Sequence, residues 1–392
     1  MEHVQMPIPD RLRTREGDIL LCSRNGSADL VGKNILIDSS SAGQTFGAFM
    51  TVIRSEINNH LYWFFNSSIF KSQTGLFSST TINQLTNEIL NNLIVAYPES
   101  KEEQGYISRY LQEKTTLIDV AMSKKQQLIE LLQEERAAII NQAVTRGLDP
   151  NVTMKDSGSE WLPLIPKHWK LFKLKYVVGY VKGHAFKTDE FREIGIPVVK
   201  ASDIKNLSIR IGKDYIDPDA AQKYQEVKLG VGDIIISTVG STPDVKKSAV
   251  GQIAQVPLEF DGAVLNQNTV KFYSNSSLMY RDFLFFLLQT DTYRQHLDIH
   301  AHGTANQASL NIVDMLGYVT GLPPYSEQIE IVDYINNQID ILNRTGATIQ
   351  QEILLLQEYR TSLINEVVTG KRCVLPAMNS LTIPDLTEEL LS

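Results

Sequence analysis

The sequence contains little cysteine and no long apolar run. Cys22 and Cys373 are its two cysteines in 392 residues, and they form neither a CxxC pair nor a disulfide framework, which favours a reducing compartment. No stretch of about 18 uncharged apolar residues occurs, so we expect no membrane span. The first residues, MEHVQMPIPDRLRTREGD, lack the apolar segment of a secretory signal. We therefore expect a cytoplasmic protein with no membrane partner.

The motifs of several enzyme classes are also missing. The sequence has no GxxxxGK[ST], no GxGxxG after a strand and no GxSxG. It also lacks the FxGxG loop and the [ND]PP[YF] motif that amino-methyltransferases use on a flipped base. His300 and His302 form an HxH pair without an evident third ligand, so we interpret them as polar loop residues rather than zinc ligands. These absences predict no catalytic residue, no metal and no cofactor in this chain.

Positive charge is scarce overall but unevenly distributed. The net charge of −8 argues against a protein that coats nucleic acid generically, because such binding depends on Lys and Arg neutralising phosphates. Residues 161–200, however, hold 8 Lys and Arg against 3 Asp and Glu, whereas residues 326–392 hold 4 against 10. The middle of the chain can therefore carry a basic face, although an unevenly charged solvated surface explains the same counts.

An internal repeat dominates the sequence. Residues 103–145 and 327–369 align without a gap and share 16 identities. The similarity continues upstream, where GDILLCS (17–23) matches GDIIIST (232–238). Each half therefore has the same order, in which a mixed strand and helix domain is followed by a proline and a long helix.

The two long helical segments carry a heptad seam. The seam positions are Leu111, Ile118, Leu132 and Ile139 in the first segment, and Ile335, Leu342, Ile349, Leu356 and Leu363 in the second. Lys125 interrupts the first seam, and Gly346 lies inside the second, where we expect a kink or a break. A generic coiled coil would show the same heptads, but the duplication favours two antiparallel helices that act as a spacer between two similar domains.

The region between the helices has strand and loop signals. β-branched runs predict strands at 197–202, 233–240, 248–256 and 268–273, and an apolar run predicts a buried helix at 281–289. The loops between them are rich in amides, hydroxyls and lysines, the groups that read base edges or hold phosphates. Ordinary turn chemistry explains such loops equally well.

We select candidate DNA-binding residues from these loops. They are Lys182, His184 and Lys187 in a basic loop; Ser237, Thr238, Ser241, Thr242, Lys246 and Lys247 after a strand; Asn266, Gln267 and Asn268 before another strand; and Thr304, Asn306 and Gln307 before a helix.

The junction between the two halves carries the most specific motif. INQAVTRGLDPNVTMKDSG (140–158) is followed by WLPLIPKHW (161–169), and the whole stretch resembles the region that joins the two halves of type I restriction–modification specificity subunits. The resemblance implies two target-recognition domains, each reading one half of a bipartite site in the major groove of double-stranded DNA. It implies that the helices dock two methyltransferase subunits and that two restriction subunits join for cleavage. S-adenosylmethionine, ATP and Mg²⁺ would belong to those partners, and this chain would be no enzyme.

The expected fold is α/β (α+β), with two mixed strand–helix recognition domains, two long antiparallel coiled-coil helices and a pseudo-twofold repeat. The boundaries we expect are recognition domains at 1–98 and 161–323, spacer helices at 99–147 and 324–372, a linker at 148–160 and a tail at 373–392.

The first half departs from the family pattern. Only 16 residues precede its GDILL segment, whereas about 70 residues separate Trp161 from the matching Gly232. We therefore expect a shortened first domain, an internal start, or a truncated or silent cassette. The alternatives to a DNA reader are such a cassette acting as a scaffold or competitor, an acidic DNA mimic, and an autonomous nuclease or methyltransferase.

Overall fold

The computed structural model describes residues 9–75, 84–159, 161–210, 212–242, 250–304 and 307–374. They form two compact units that mix helices and strands. The first unit contains the described residues up to 129 and those from 346 onward, and the second contains residues 130–345. The boundary between the units therefore falls inside both long helices.

The first unit begins with a small antiparallel sheet. Its strands are β1 (Ile19–Cys22), β2 (Asn34–Leu36) and β3 (Met50–Ile53), in the order β2-β1-β3. Three helices follow, α1 (Asn58–Phe65), α2 (Ser68–Gln73) and α3 (Asn87–Asn91). Ile19 and Leu21 alternate with half-buried neighbours along β1 and are fully buried, as expected of a sheet with one face on a core. The chain then enters α4 (Lys101–Arg146).

The second unit contains most of the strands. They are β4 (Met154–Asp156), β5 (Leu164–Pro166), β6 (Lys170–Lys173), β7 (Val178–Lys182), β8 (Phe191–Arg192), β9 (Ile196–Val199), β10 (Ile204–Lys205), β11 (Ser208–Ile209), β12 (Tyr215–Ile216), β13 (Ile234–Ser237), β14 (Val239–Gly240), β15 (Ile253–Gln255), β16 (Val264–Leu265), β17 (Thr269–Ser274), β18 (His302–Thr304), β19 (Gln307–Ser309) and β20 (Val319–Leu322). Its helices are α5 (Pro218–Ala221), α6 (Arg281–Leu287), α7 (Asp291–His300) and α8 (Ile312–Met315), followed by the second long helix, α9 (Tyr325–Val368).

Two four-stranded sheets organise the second unit, in the orders β15-β13-β17-β7 and β16-β9-β12-β8. Smaller sheets are β14-β19-β18, β20-β6, β10-β11 and β4-β5. Ile234 and Ile236 of β13 belong to one apolar core and Ile235 belongs to another, and all three are fully buried. Because β13 is covered on both faces, its sequence is a continuous apolar run rather than an alternating one.

The structure corrects the predicted limits of several elements. The strand expected at 197–202 ends at Val199, and a 3-10 turn follows at Ala201–Asp203. The strand expected at 233–240 is divided into β13 and β14. Helix α9 is continuous through Gly346, so the expected break is wrong there. The helical packing on both sides of this position outweighs the cost of about 1 kcal/mol for one glycine.

The two long helices run antiparallel within the first unit. Lys125 pairs with Glu352 at 2.8 Å and Asp119 pairs with Arg360 at 2.9 Å. The earlier residue on α4 therefore pairs with the later residue on α9, as antiparallel helices require. Lys125, which interrupts the heptad seam, therefore has a partner across the helix pair.

The predicted seam residues are all withdrawn from solvent, but not equally. Leu111, Ile118, Ile335, Ile349, Leu356 and Leu363 are buried, whereas Leu132, Ile139 and Leu342 are half-buried. The buried seam residues Leu111, Ile118, Leu356 and Leu363 belong to the apolar core of the first unit, and Ile335 belongs to a core of the second.

The sequence repeat is also a structural repeat. Near the start of α4, Gln104 Nε2 donates to the carbonyl of Pro98 at 2.7 Å, and near the start of α9 Gln328 Nε2 donates to the carbonyl of Pro323 at 2.9 Å. Asp18, at the start of β1, accepts hydrogen bonds from Arg54, and its counterpart Asp233 pairs with Lys271 at 3.1 Å.

Candidate nucleic-acid interface

Several strands of the second unit end or begin at the same edge. Strands β7, β9, β13 and β16 end there, and β15 and β17 begin there, because Ser237 pairs with Thr269 and Lys182 pairs with Val270. The loops at this edge are residues 182–187, 238–242, 265–268 and 307–310. We call these four segments the loop cluster.

Backbone hydrogen bonds join the four segments. The N–H of His184 donates to the carbonyl of Leu265 at 2.8 Å, and the N–H of Gln267 donates back to the carbonyl of His184 at 2.7 Å. The N–H of Thr238 donates to the carbonyl of Asn268 at 2.8 Å, and the N–H of Leu310 donates to the carbonyl of Thr238 at 2.8 Å. The structure thus brings together candidate loops that lie more than 100 residues apart in the sequence.

Two backbone positions explain the close approach of these loops. A Cβ on Gly183 would lie 1.8 Å from the carbonyl oxygen of Asn266, so no larger residue fits there without moving the backbone. Asn268 adopts φ +69°, a left-handed conformation that asparagine tolerates better than most residues. Both residues therefore fix the path of the loop tips.

An aromatic cluster supports the first segment. The His184 ring lies 4.9 Å from the Phe186 ring and 4.6 Å from the Tyr224 ring. The Tyr224 hydroxyl donates a hydrogen bond to Glu190, whose carboxylate also accepts the N–H of Lys187 at 2.7 Å. The hydrogen bond from Tyr224, and next the one from Lys187, hold the pKa of Glu190 below its ordinary value, and the same contact raises the pKa of Tyr224. Glu190 therefore stays ionised and fixes the loop from within.

The candidate residues differ in exposure. Lys182, Lys187, Gln267, Asn268 and Gln307 are exposed; His184, Thr238, Ser241 and Thr242 are half-buried; Ser237 and Asn266 are buried. Ser237 Oγ accepts the N–H of Gln252 at 2.9 Å, and the carbonyl of Asn266 accepts the Thr269 hydroxyl, so these two residues hold the framework of the loops. Lys246, Lys247 and Asn306 lie outside the described residues, and Thr304 is described only as the last residue of β18.

The chain matches the family model for the type I restriction modification DNA specificity domain over residues 11–131 and 166–355, well over half of its length. It therefore belongs to the type I restriction–modification specificity family. The family resemblance predicted from the junction motif is confirmed.

Relatives and solved structures agree with this assignment. The chain is 26% identical over 360 residues to the type I restriction enzyme MjaVIII specificity subunit of Methanocaldococcus jannaschii, covering 86% of this chain and 78% of that protein. It is 23% identical over 354 residues to the StySPI specificity subunit of Salmonella potsdam, covering 86% and 70%.

Two solved structures share the fold at low sequence identity. A chain from a study of complex assembly and conformational transition of the type I R–M system has a TM-score of 0.68 at 13% identity, covering 91% of this chain and 82% of that one. The HsdS subunit from Thermoanaerobacter tengcongensis has a TM-score of 0.51 at 15% identity, covering 93% and 84%. Together with the helices and strands described above, these likenesses confirm the expected fold of this family member.

Sequence reasoning missed one cation at the edge of the loop cluster. Lys200 follows β9, next to the point where the N–H of Asn266 donates to the carbonyl of Val199. Its Nζ lies 2.7 Å from Asp214 and 4.5 Å from the centre of the Phe191 ring. The β-branched run that ends at Lys200 predicts a strand, and nothing in the sequence indicates that Lys200 pairs with Asp214.

In the described part of the chain, no cluster of three potential metal-ligating side chains is present. The Nδ1 of His300 lies 2.7 Å from the carbonyl of His296 and donates to it, whereas His302 begins β18. Among the described helices, none combines the length and apolar composition needed to cross a bilayer.

Proposed function

We propose that this member of the specificity family selects the DNA target of a type I restriction–modification complex, and that the loop cluster reads one half of a bipartite site. The observation that carries the proposal is the convergence of four polar segments, held by backbone hydrogen bonds, at one edge of the second unit. Loops on a rigid scaffold are where binding residues concentrate.

The side chains of the cluster suit the major groove. The exposed amides of Gln267, Asn268 and Gln307 can each pair bidentately with adenine, and Lys182 and Lys187 can hold phosphates. Phosphate contacts position the protein, whereas base contacts supply the sequence preference. The amides are therefore the residues that we assign to specificity, and the two lysines are assigned to affinity.

The partners follow from the family. We propose that the long helices dock two methyltransferase subunits, that two restriction subunits join them, and that these partners hold S-adenosylmethionine, ATP and Mg²⁺. Leu117, Val120 and Leu128 are exposed apolar residues on α4 of the first unit and suit such docking. This chain itself would be non-catalytic and would work in the cytoplasm, where the chromosome is methylated.

The test is a map of methylated adenine in cells that express this chain with its methyltransferase subunit. We expect a split motif with two specified blocks and a fixed unspecified gap. A chain carrying Gln267→Ala and Asn268→Gly should change or relax one block and leave the other intact. Glycine is chosen at 268 because it keeps the left-handed backbone while it removes the amide.

The matched control is Asn275→Ala, because Asn275 is an exposed amide just beyond the opposite end of β17. It should leave both blocks unchanged. Unchanged methylation in the double variant would refute the role of the loop cluster. A motif with a single specified block in the unmodified chain would refute bipartite reading.

A further inference from the structure

Arg136 of α4 and Arg360 of α9 occupy matching positions of the internal repeat but differ in their partners. Within the first unit, Arg360 binds both carboxylate oxygens of Asp119, one from Nε at 2.9 Å and the other from Nη2 at 3.4 Å. The position that matches Asp119 in the second half of the repeat is Asn343, whose side chain is neutral. The repeat therefore gives Arg136 no carboxylate at the position that serves its counterpart.

The guanidinium of Arg136 has a neutral partner in the second unit. Arg136 is half-buried, and its one hydrogen bond among the described residues runs from Nη2 to Oε1 of Gln289 at 3.1 Å. Burial holds the pKa of Arg136 below its ordinary value, because the charged form loses solvation there. Charges withdrawn from water in proteins are normally paired with an opposite charge. The arrangement therefore indicates that an anion completes this site.

A cleft of about 410 Å³ lies beside Arg136 in the second unit, and a second arginine lines it. This residue, Arg281, begins α6, and its Nη1 lies 3.4 Å from the carbonyl oxygen of Val231. A Cβ on Gly232 would lie 2.4 Å from the same nitrogen, so the glycine leaves room for the guanidinium against the backbone. The cleft thus has two cationic side chains in its lining.

The rest of the described lining is apolar or neutral, apart from one carboxylate. That carboxylate belongs to Asp282, and its oxygens are engaged within the unit: Oδ1 lies 3.2 Å from Nε of Arg281 and accepts from Nε2 of Gln255 at 2.8 Å. Two arginines against one aspartate leave the described lining with a net positive charge. The apolar walls and the second amide are supplied by Val256, Phe285, Phe286, Ile339 and Asn336.

We infer that this cleft binds a small molecule that carries a phosphate or carboxylate group on an apolar body, with the oxyanion on Arg136 and Arg281. A guanidinium matches the geometry of both oxyanions, because its N–H groups form a planar fork. The volume falls in the range of roughly 300–1,000 Å³ that is typical of small-molecule sites, and a single acidic side chain of a partner would fill only part of it.

The cleft is separate from the loop cluster. Gln255 is the last residue of β15, and Gly232 precedes the first residue of β13, so the cleft lies at the opposite end of these strands from the loop cluster. The inference therefore goes beyond the selection of a DNA target and does not depend on it.

The experiment uses the full chain and two probes, phenyl phosphate and benzoate, with saturation-transfer NMR of the probe as the readout. We expect saturable binding that excess inorganic phosphate displaces, and the tighter probe identifies the preferred oxyanion. Benzyl alcohol has the ring without the charge and should bind at least about tenfold more weakly than the tighter probe, because it makes no charge-assisted hydrogen bond. The absence of saturable binding for both charged probes would overturn the inference.

A matched pair of chain variants separates the cleft from general charge attraction. Arg136→Gln should weaken binding of the tighter probe about tenfold, because it removes a charged donor. Arg360→Gln removes the same charge at the matching repeat position, where Asp119 is the partner, and should have little effect. Unchanged binding in Arg136→Gln, or an equal loss in Arg360→Gln, would refute the site.

A second variant keeps the test decisive if Arg136→Gln does not fold, which circular dichroism would show. The side chain of Arg281 is 49% exposed, so we expect Arg281→Gln to fold, and it should also weaken binding of the tighter probe severalfold. A folded Arg281→Gln variant with unchanged affinity would exclude the placement of the oxyanion between the two arginines.

Two further outcomes would assign the cleft to a macromolecule and would overturn the inference. Displacement of the bound probe by duplex DNA would mean that a DNA phosphate occupies the cleft. Failure of both probes to bind, together with loss of co-purification with the methyltransferase subunit in Arg136→Gln but not in Arg360→Gln, would mean that an acidic side chain of that partner does so.

Discussion

The contribution of the two exposed lysines in the loop cluster can be measured through the salt dependence of DNA binding. Lys182 lies at the end of β7 and Lys187 begins the turn held by Glu190. We predict that replacing both with alanine weakens binding to all DNA sequences and leaves the preferred motif unchanged, because phosphate contacts carry no base information.

The size of the effect follows from counterion release. Each phosphate contact contributes about 0.9 to the slope of log K against log salt concentration, so two contacts contribute about 1.8. Between about 50 and 200 mM salt, a fourfold rise, the unmodified chain should therefore lose about twelvefold more affinity than the double variant. The measurement is fluorescence anisotropy of a labelled target duplex with the assembled methyltransferase complex, repeated across a salt series.

Lys170→Ala serves as the charge-matched control. Lys170 is exposed at the start of β6 and lies outside the loop cluster, whereas Lys182 is the last residue of β7 and belongs to the loop cluster. The control should leave the slope unchanged. An unchanged slope in the double variant, or an equal decrease with Lys170→Ala, would refute the phosphate role of the loop cluster.

Three further predictions concern stability. Trp169→Ala should lower the free energy of unfolding by about 3–5 kcal/mol, measured by urea denaturation, because it opens a cavity in the core. Burial lowers the pKa of His60 in the folded protein. The stabilising contribution of the neutral ring should therefore be fully present above about pH 6.5, and the free energy of unfolding should decline as the pH falls below that value, where the unfolded state takes up a proton. His60→Gln should flatten this decline in thermal unfolding. Lys125→Glu should destabilise by up to about 1 kcal/mol, because the pair is partly exposed, and adding Glu352→Lys should restore stability in a double-mutant cycle.

Each of these has a clear contrary result. A Trp169→Ala variant as stable as the unmodified chain would mean that the indole does not anchor the second unit. An unchanged pH dependence in His60→Gln would assign the decline to other groups, and a charge-swapped helix pair no more stable than Lys125→Glu alone would show that this ion pair does not couple α4 to α9.

Much of the architecture could be predicted from the sequence because it rests on periodicity. The heptad spacing of Ile335, Ile349 and Leu363 fixes one face of α9 whatever surrounds it, and those residues are buried. The apolar run of β13 is likewise a local pattern. No break forms at Gly346, because a propensity of about 1 kcal/mol is small beside the packing of a 44-residue helix.

The candidate site could also be predicted only in part. The loops could be chosen from their residue types, because amides, hydroxyls and lysines between strands suit base and phosphate contacts. Nothing local distinguishes Ser237 and Asn266, which are buried, from Gln267 and Asn268, which are exposed. The contacts of Tyr224 with His184 and Glu190 also join residues more than 30 positions apart, so their roles are set by the fold.

The sequence by itself determined the family, the repeat and the helical seam, because motifs and residue spacings can be identified without knowing the tertiary structure. Only the tertiary structure decided which loops meet, which candidate side chains reach solvent, and where the two halves differ. Glu103 and Glu327 are identical in the alignment, and yet only Glu327 receives an indole N–H within the described residues. That difference depends on which distant segment packs against each helix, and long-range packing leaves no local pattern in the sequence.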